Sequence, residues 1–170
     1  MDVKDEISAK EIVAGAVKPE KVARLKLFKV RLVKERTLAF PVTEITSAES
    51  LAKIARSELG HLVHEEIIAI GLSVKNGVIG VVKVGQGGLG GAGVTPADVI
   101  RPLVAMGAVK FVLAYNHPSG DPMPSGPDIE LTANLKKAAE CVGLTFLDHL
   151  IIGSIRAGAR WESLRALGIM

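Results

Sequence analysis

The apolar positions of this chain change period several times, and each change marks an expected element. Ile7, Ile12, Val13 and Val17 recur at helical spacing ahead of Pro19, which predicts a helical arm over residues 1 to about 23. Phe28-Lys29-Val30-Arg31-Leu32 alternates apolar and basic side chains, the pattern of a half-exposed strand. Thr46 and Glu49 stand three apart ahead of Leu51, Ile54, Ala55 and Leu59, so a capping box opens a helix that Gly60 closes. Residues 66–73 form an almost wholly apolar strand, Asn76-Gly77 is a hairpin signal, and residues 78–84 return. Thr95 as cap, Pro96 in the first turn and Asp98 three beyond the cap announce a second helix that Gly107 ends. Residues 109–114 read as a buried strand, a helix from about Pro127 to Val142 carries Ile129, Leu131, Leu135 and Ala139 and stops at Gly143, and residues 144–152 supply another strand. Strands and helices are mixed rather than strictly alternating and one hairpin is antiparallel, which predicts an α/β (α+β) three-layer sandwich around a mixed sheet. Residues 1–45 read as an arm and strand, and residues 46–170 as the folded domain.

Composition narrows the class. With 170 residues, 48% of them hydrophobic, the chain can bury one substantial core. The net charge is only +3, and much of the basic excess lies early, in Lys18, Lys21, Arg24, Lys26, Lys29, Arg31, Lys34 and Arg36. That stripe reads either as a nucleic-acid contact or as a solvated face. A single cysteine, Cys141, excludes an intramolecular disulfide framework, suits a reducing compartment and sits in a helical pattern as a small core residue. No apolar run approaches the roughly 20 residues of a membrane helix, and Met1-Asp2-Val3-Lys4-Asp5-Glu6 lacks the centre of a signal peptide, so the expectation is a soluble cytoplasmic protein without a membrane partner.

The candidate chemistry concentrates after the strand at residues 109–114. Gly85, Gly87 and Gly90 formally match a dinucleotide fingerprint, but the next helix starts only at Thr95, so the glycine run reads as a flap near a cleft. Tyr115 and His117, two apart, can share one side of the chain, and Asp128 opens the following helix, where its charge is favoured. Pro118, Pro122, Pro124 and Pro127 stiffen the stretch between them. A hydrolytic zinc ion needs three protein ligands, an open position for water and a nearby carboxylate for the water proton. His117 and Asp128 supply two ligands, Glu65 or Glu66 the proton acceptor, and Ser125 a donor to the oxyanion. The alternative is a structural turn in which the same His and Asp satisfy backbone groups. His61 and His64 flank the acidic pair, as surface histidines or as a source of a missing ligand, and Asp148-His149 reads as a structural or cleft-edge pair.

Taken together, His117-Pro118-Ser119-Gly120-Asp121-Pro122-Met123-Pro124-Ser125 with Asp128, Asp148-His149-Leu150-Ile151-Ile152-Gly153, and Trp161-Glu162-Ser163-Leu164 resemble the RadC-like branch of the JAB/MPN metalloprotease-like family over roughly Ala48 to Met170. The resemblance implies a JAB/MPN (cytidine-deaminase-like) sandwich and, where the site is intact, zinc-dependent hydrolysis of peptide or isopeptide bonds. By position it implies His117 and Asp128 as zinc ligands, Ser125 as oxyanion helper and Glu65 as general base, with Glu66 kept open because a strand register shifts easily by one. The family's first histidine falls on Tyr115, and a phenol of ordinary pKa ~10 must lose a proton to compete with imidazole. Weak or absent zinc is therefore expected, with tyrosinate ligation at Tyr115 or rescue by His61 or His64 as alternatives. Expected partners are a protein or peptide, or a second copy through the N-terminal arm. The DNA-repair label attached to RadC-like proteins finds no helix-turn-helix, zinc finger or aromatic stacking set to support it here.

Overall fold

The computed structural model describes residues 25–39, 45–87, 93–158 and 160–170. The chain divides into two compact units, Met1–Val30 and Arg31–Met170. The expected helical arm, and residues 88–92 of the glycine run, lie outside the described residues. In the first unit Leu25–Val30 is exposed and has no regular element. Residues 31–39 of the second unit are likewise irregular, so the strand expected over Phe28–Leu32 does not form. Alternation makes a strand only when a neighbour takes its backbone hydrogen bonds.

The second unit holds helix α1 (Ala48–Leu59), strands β1 (Glu66–Leu72) and β2 (Val78–Gln86), helix α2 (Pro96–Ala105), strand β3 (Lys110–His117), helix α3 (Gly126–Cys141), strand β4 (Thr145–Gly153), a 3-10 turn (Ile155–Ala157) and strand β5 (Trp161–Ser163). The sheet order is β2-β1-β3-β4-β5, with β3 and β4 parallel and the other pairs antiparallel. One face packs Ile68, Ile70, Val112, Ala114, Leu150 and Ile152 against Leu51, Ile54, Ala55 and Leu59 of α1. The other packs Ile67, Ala69, Phe111, Leu113 and Ile151 against Val99 and Leu103 of α2 and Leu131, Leu135 and Ala139 of α3. This is the expected three-layer sandwich on a mixed sheet. Being covered on both sides, β3 is apolar from Phe111 to Ala114 with no alternation.

Several local expectations shift by a residue or a face. Ser47, not Thr46, caps α1 and accepts a hydrogen bond from the Ser50 amide at 3.3 Å. Ile45 is buried and its amide donates to the Asn76 carbonyl, which fixes the chain's entry one residue later than the spacing suggested. Gly60 ends α1 in a right-handed conformation. A Cβ there would come within 2.8 Å of both the Arg56 carbonyl and Ile155 Cγ1, so its glycine serves a close approach. Cys141 is exposed rather than a core residue. The buried stripe of α3 runs Leu131, Leu135, Ala139, and a residue two positions off such a stripe is turned about 200° away from it. The same offset exposes Ile129. The tight turn at Asn76, with φ of 61°, connects β1 and β2 as expected. No helix among the described residues is long and apolar enough to cross a membrane.

Candidate functional site

The site lies where β3 and β4 end side by side and α3 begins. β3 continues through His117, so Tyr115, Asn116 and His117 are strand residues rather than loop. Tyr115 and His117 share a face, and their rings meet edge to face with centroids 4.8 Å apart and planes at 87°. Asn116 points the other way: it accepts from the Glu66 amide at 2.7 Å and donates to the His64 carbonyl at 2.9 Å. Those two bonds bracket Glu65 in sequence, and the Glu65 carbonyl accepts from the Gly87 amide at 2.8 Å.

The loop from Pro118 to Pro124 folds back on the imidazole. His117 Nδ1 lies 2.7 Å from the Asp121 carbonyl oxygen, an acceptor only, so Nδ1 carries a proton and donates. Nε2 then faces Asp128 Oδ2 at 3.7 Å, an ion-pair distance rather than a hydrogen bond. The carboxylate beside it raises the pKa of His117 against the opposing effect of burial, with the Asp121 carbonyl and the charge of Glu65 adding to the rise. Asp128 is fully buried, which opposes its charge. The contacts from His117 and Ser125 outweigh that burial and hold its carboxyl below the usual range.

Ser125 and Asp128 form the capping box of α3. The Ser125 amide and hydroxyl donate to Asp128 Oδ2 at 2.7 and 2.6 Å, and the Asp128 amide returns a bond to Ser125 Oγ at 3.4 Å. The hydroxyl proton of Ser125 is thus engaged inside the helix cap. Asp128 Oδ1 is buried and has no hydrogen-bond partner.

Glu65 and Glu66 part company at the mouth of β1. Glu66 reaches Lys83 Nζ at 2.5 Å and His64 Nε2 at 3.4 Å, so it is held by these two side chains on its own side. Ile67, two residues beyond Glu65, pairs with Tyr115. Alternation therefore gives Glu65 the face of Tyr115 and His117. His64 is spent on Glu66, and His61 lines a shallow cleft with Pro118 and Arg156.

His149, which the sequence offers with Asp148 as a structural or cleft-edge pair, lies against the site. A bulge at Leu147 shifts the register, pairing Phe111 with Phe146 but Val112 with Asp148. Phe146, stacked on Phe111 with centroids 4.6 Å apart, and His149 are thereby brought onto the α3 side although they are three residues apart. His149 is fully buried, its Nδ1 is 2.7 Å from Thr132 Oγ1, and that hydroxyl donates to the Asp128 carbonyl at 2.6 Å. Because the hydroxyl proton is used, His149 donates from Nδ1, leaving Nε2 as a buried lone pair without a partner. Burial lowers its pKa to about 4, against a smaller raising effect of Asp128. Asp148 faces away and holds Ser163 Oγ at 2.7 Å and the Arg165 amide at 3.2 Å, a structural role tying β5 to β4.

The arrangement defines a mixed-sheet sandwich with a strand-end histidine facing a helix-capping aspartate. A family model described as the RadC-like JAB domain matches residues 45–169, and the chain belongs to that family. It is 44% identical over 98 residues to a UPF0758 protein of Carboxydothermus hydrogenoformans, covering 58% of this chain and 43% of that one. It is 39% identical over 122 residues to a UPF0758 protein of Clostridium perfringens, covering 69% and 54%. A Desulfitobacterium hafniense UPF0758 protein is 34% identical over 140 residues, covering 82% and 59%. The chain thus spans about half the length of the curated relatives it matches.

The zinc that the family resemblance implies can be tested against these donors. His117 Nε2 and Asp128 are suitable ligands, but where the resemblance implies a third the chain has the phenol of Tyr115. Among the described residues no three His, Cys, Asp or Glu side chains stand together so as to hold one metal ion. The described residues do not make the three-ligand set of a hydrolytic zinc.

Proposed function

We propose that this RadC-like JAB domain works as a peptide- or protein-binding module, in which the place of a hydrolytic metal is taken by the His117–Asp128 pair packed against Tyr115. The observation that carries the reading is the edge-to-face contact of Tyr115 with His117, whose remaining nitrogen faces Asp128. The Asp128 carboxylate beside the ring raises the pKa of His117, which favours a proton on the nitrogen that faces it. Nε2, 3.7 Å from Asp128 and so beyond a hydrogen bond to it, is left to donate to a carbonyl oxygen of a bound chain.

The test is zinc content after exposure to excess zinc and gel filtration, for the wild type and for Tyr115→His. Zinc below stoichiometry in the wild type and near one per chain in the variant supports the proposal. One tightly held zinc per wild-type chain overturns it. The unpartnered Asp128 Oδ1 favours a second reading, a zinc-dependent peptidase or isopeptidase site that holds its metal weakly, with Glu65 as the proton acceptor. Saturable wild-type zinc binding of low affinity, lost in Asp128→Ala, together with metal-dependent cleavage of a peptide, would select that reading.

A further inference from the structure

We infer that the cleft one residue beyond His117 is a carboxylate-binding subsite that takes an acidic side chain or a chain terminus of a bound peptide; this rests on reading the domain as a peptide-binding module. β3 and β4 run parallel and pair His117 with Gly153 at their ends. The chain leaves β3 through Pro118 and β4 through Ser154, and residues 60–63 after α1 close the third side. Crevices beyond the carboxyl ends of parallel strands are where α/β sheets present ligands. This one encloses about 300 Å³. That is the small end of the roughly 300–1,000 Å³ range of ligand pockets, sized for one side chain or chain end rather than a large cofactor.

The lining sets the ligand's chemistry. Arg156 and His61 are its ionisable groups, and no carboxylate lines it. Neither the Arg156 guanidinium nor the His61 ring makes a hydrogen bond or ion pair with the described residues, in contrast to Arg36, Arg56, Lys83 and Arg101, each of which faces a carboxylate. Ser154 Oγ accepts from the Arg156 amide at 3.3 Å and has its own proton left to donate. Val63 and Ile155, 77% and 51% exposed, supply an apolar rim for the stem of a residue whose tip carries the charge. A guanidinium fork, a hydroxyl and an imidazole around one small cleft form a donor set suited to a carboxylate.

The cleft is held in shape. The Ile155 amide donates to the Gly60 carbonyl at 3.0 Å, and a Cβ at Gly60 would press within 2.8 Å of Ile155 Cγ1. On the other side a Cβ at Gly120, in the loop that binds His117, would come within 2.3 Å of Ala157 Cβ. The 3-10 turn bearing Arg156 is thus packed against both the end of α1 and the loop around His117.

Fluorescence anisotropy with three labelled hexapeptides of the same apolar background tests the subsite: one with an internal Glu and an amidated end, one without Glu and with a free carboxylate, and one neutral and amidated. At least one carboxylate-bearing peptide is expected to bind about tenfold more tightly than the neutral one, and whichever does identifies the source of the carboxylate. Arg156→Ala should erase the difference and Arg156→Lys restore part of it, with circular dichroism showing the fold unchanged. Equal affinity for all three peptides, no binding of any, or a preference that survives in an Arg156→Ala/His61→Ala double variant overturns the subsite. The titrations are run with a chelator, so their outcome is separate from the zinc measurement: a wild type that holds zinc refutes the binding-module reading, whereas unselective peptides refute only the subsite.

Discussion

His149 Nδ1 lies 2.7 Å from Thr132 Oγ1, and through that hydroxyl, which donates to the Asp128 carbonyl, strand β4 holds the first turn of α3. Asp128 is therefore positioned from two sides. Its side chain is gripped by the Ser125 cap, and its backbone carbonyl by Thr132, whose hydroxyl is in turn held by His149. Asp128, Thr132 and His149 are buried, whereas Ser125 at the cap is exposed.

The pH dependence of stability should carry the mark of this burial. His149 has its pKa lowered from 6.5 to about 4 in the folded chain, so between those values the unfolded state takes up a proton that the folded state refuses. Its contribution is complete above about pH 6.5, falls away as pH drops through the window, and levels below about pH 4, for a total on the order of 3 kcal/mol. His117 works in the opposite sense: its raised pKa gives stability that is full below 6.5 and is lost as pH rises through the folded-state value. Urea unfolding of the wild type should show both slopes. His149→Gln should flatten the acid-side slope and His117→Gln the other; an unchanged acid slope in His149→Gln would remove the buried neutral imidazole from the account.

Asp128→Ala should destabilise the domain by about 2–3 kcal/mol, because it deletes the helix cap and leaves the Ser125 amide without its buried acceptor. Asp128→Asn keeps an oxygen for Ser125 and should lose less stability, while removing the charge that raises His117. Proton NMR titration of the His117 ring checks this: its pKa in Asp128→Asn should fall relative to the wild type, and an unmoved value would mean that Asp128 is not the cause.

Much of this site could be read from sequence because it is local. Ser125 and Asp128 are three apart, Tyr115 and His117 two apart, and both relations follow from the periods of helix and strand. The sequence leaves the choice between Glu65 and Glu66 open because it depends on the pairing of Ile67 with Tyr115, a contact between distant segments. His149 can be singled out in the sequence, but the face it takes depends on a distant pairing too. Strict alternation would set Phe146 and His149 on opposite faces, and only the bulge at Leu147, which no local residue pattern announces, brings both toward α3. Phe28–Leu32 fails in the other direction, since its alternation is genuine but no strand among the described residues pairs with it.

Asn116 is the clamp that fixes Glu65, and Asn116→Ala should cost about 2 kcal/mol through loss of its bonds to the Glu66 amide and the His64 carbonyl. Hydrogen exchange offers a sharper readout than global stability. The Glu66 amide should lose protection in Asn116→Ala but keep it in Asn116→Asp, which preserves the acceptor while removing the donor. Protection that persists in the alanine variant would show that the amide is shielded by something else.

Two glycines near the site should respond in opposite ways to the same substitution. A Cβ on Gly153, where β4 ends beside His117, would come within 2.6 Å of the Gly120 carbonyl oxygen and 3.1 Å of the Arg160 carbonyl oxygen, both backbone atoms that cannot rotate away. Gly153→Ala should therefore destabilise by about 2 kcal/mol or more and push the loop that carries the Asp121 carbonyl off His117. Gly126, in the first turn of α3, has nothing within 4 Å of its would-be Cβ and no positive φ. Gly126→Ala should be neutral or stabilising by about 0.5–1 kcal/mol, because alanine loses less backbone freedom on entering a helix. Thermal unfolding of the two variants beside the wild type measures both effects. If Gly153→Ala proved as harmless as Gly126→Ala, the close packing of the β4 end against the 118–121 loop, on which the placement of His117 depends, would be wrong.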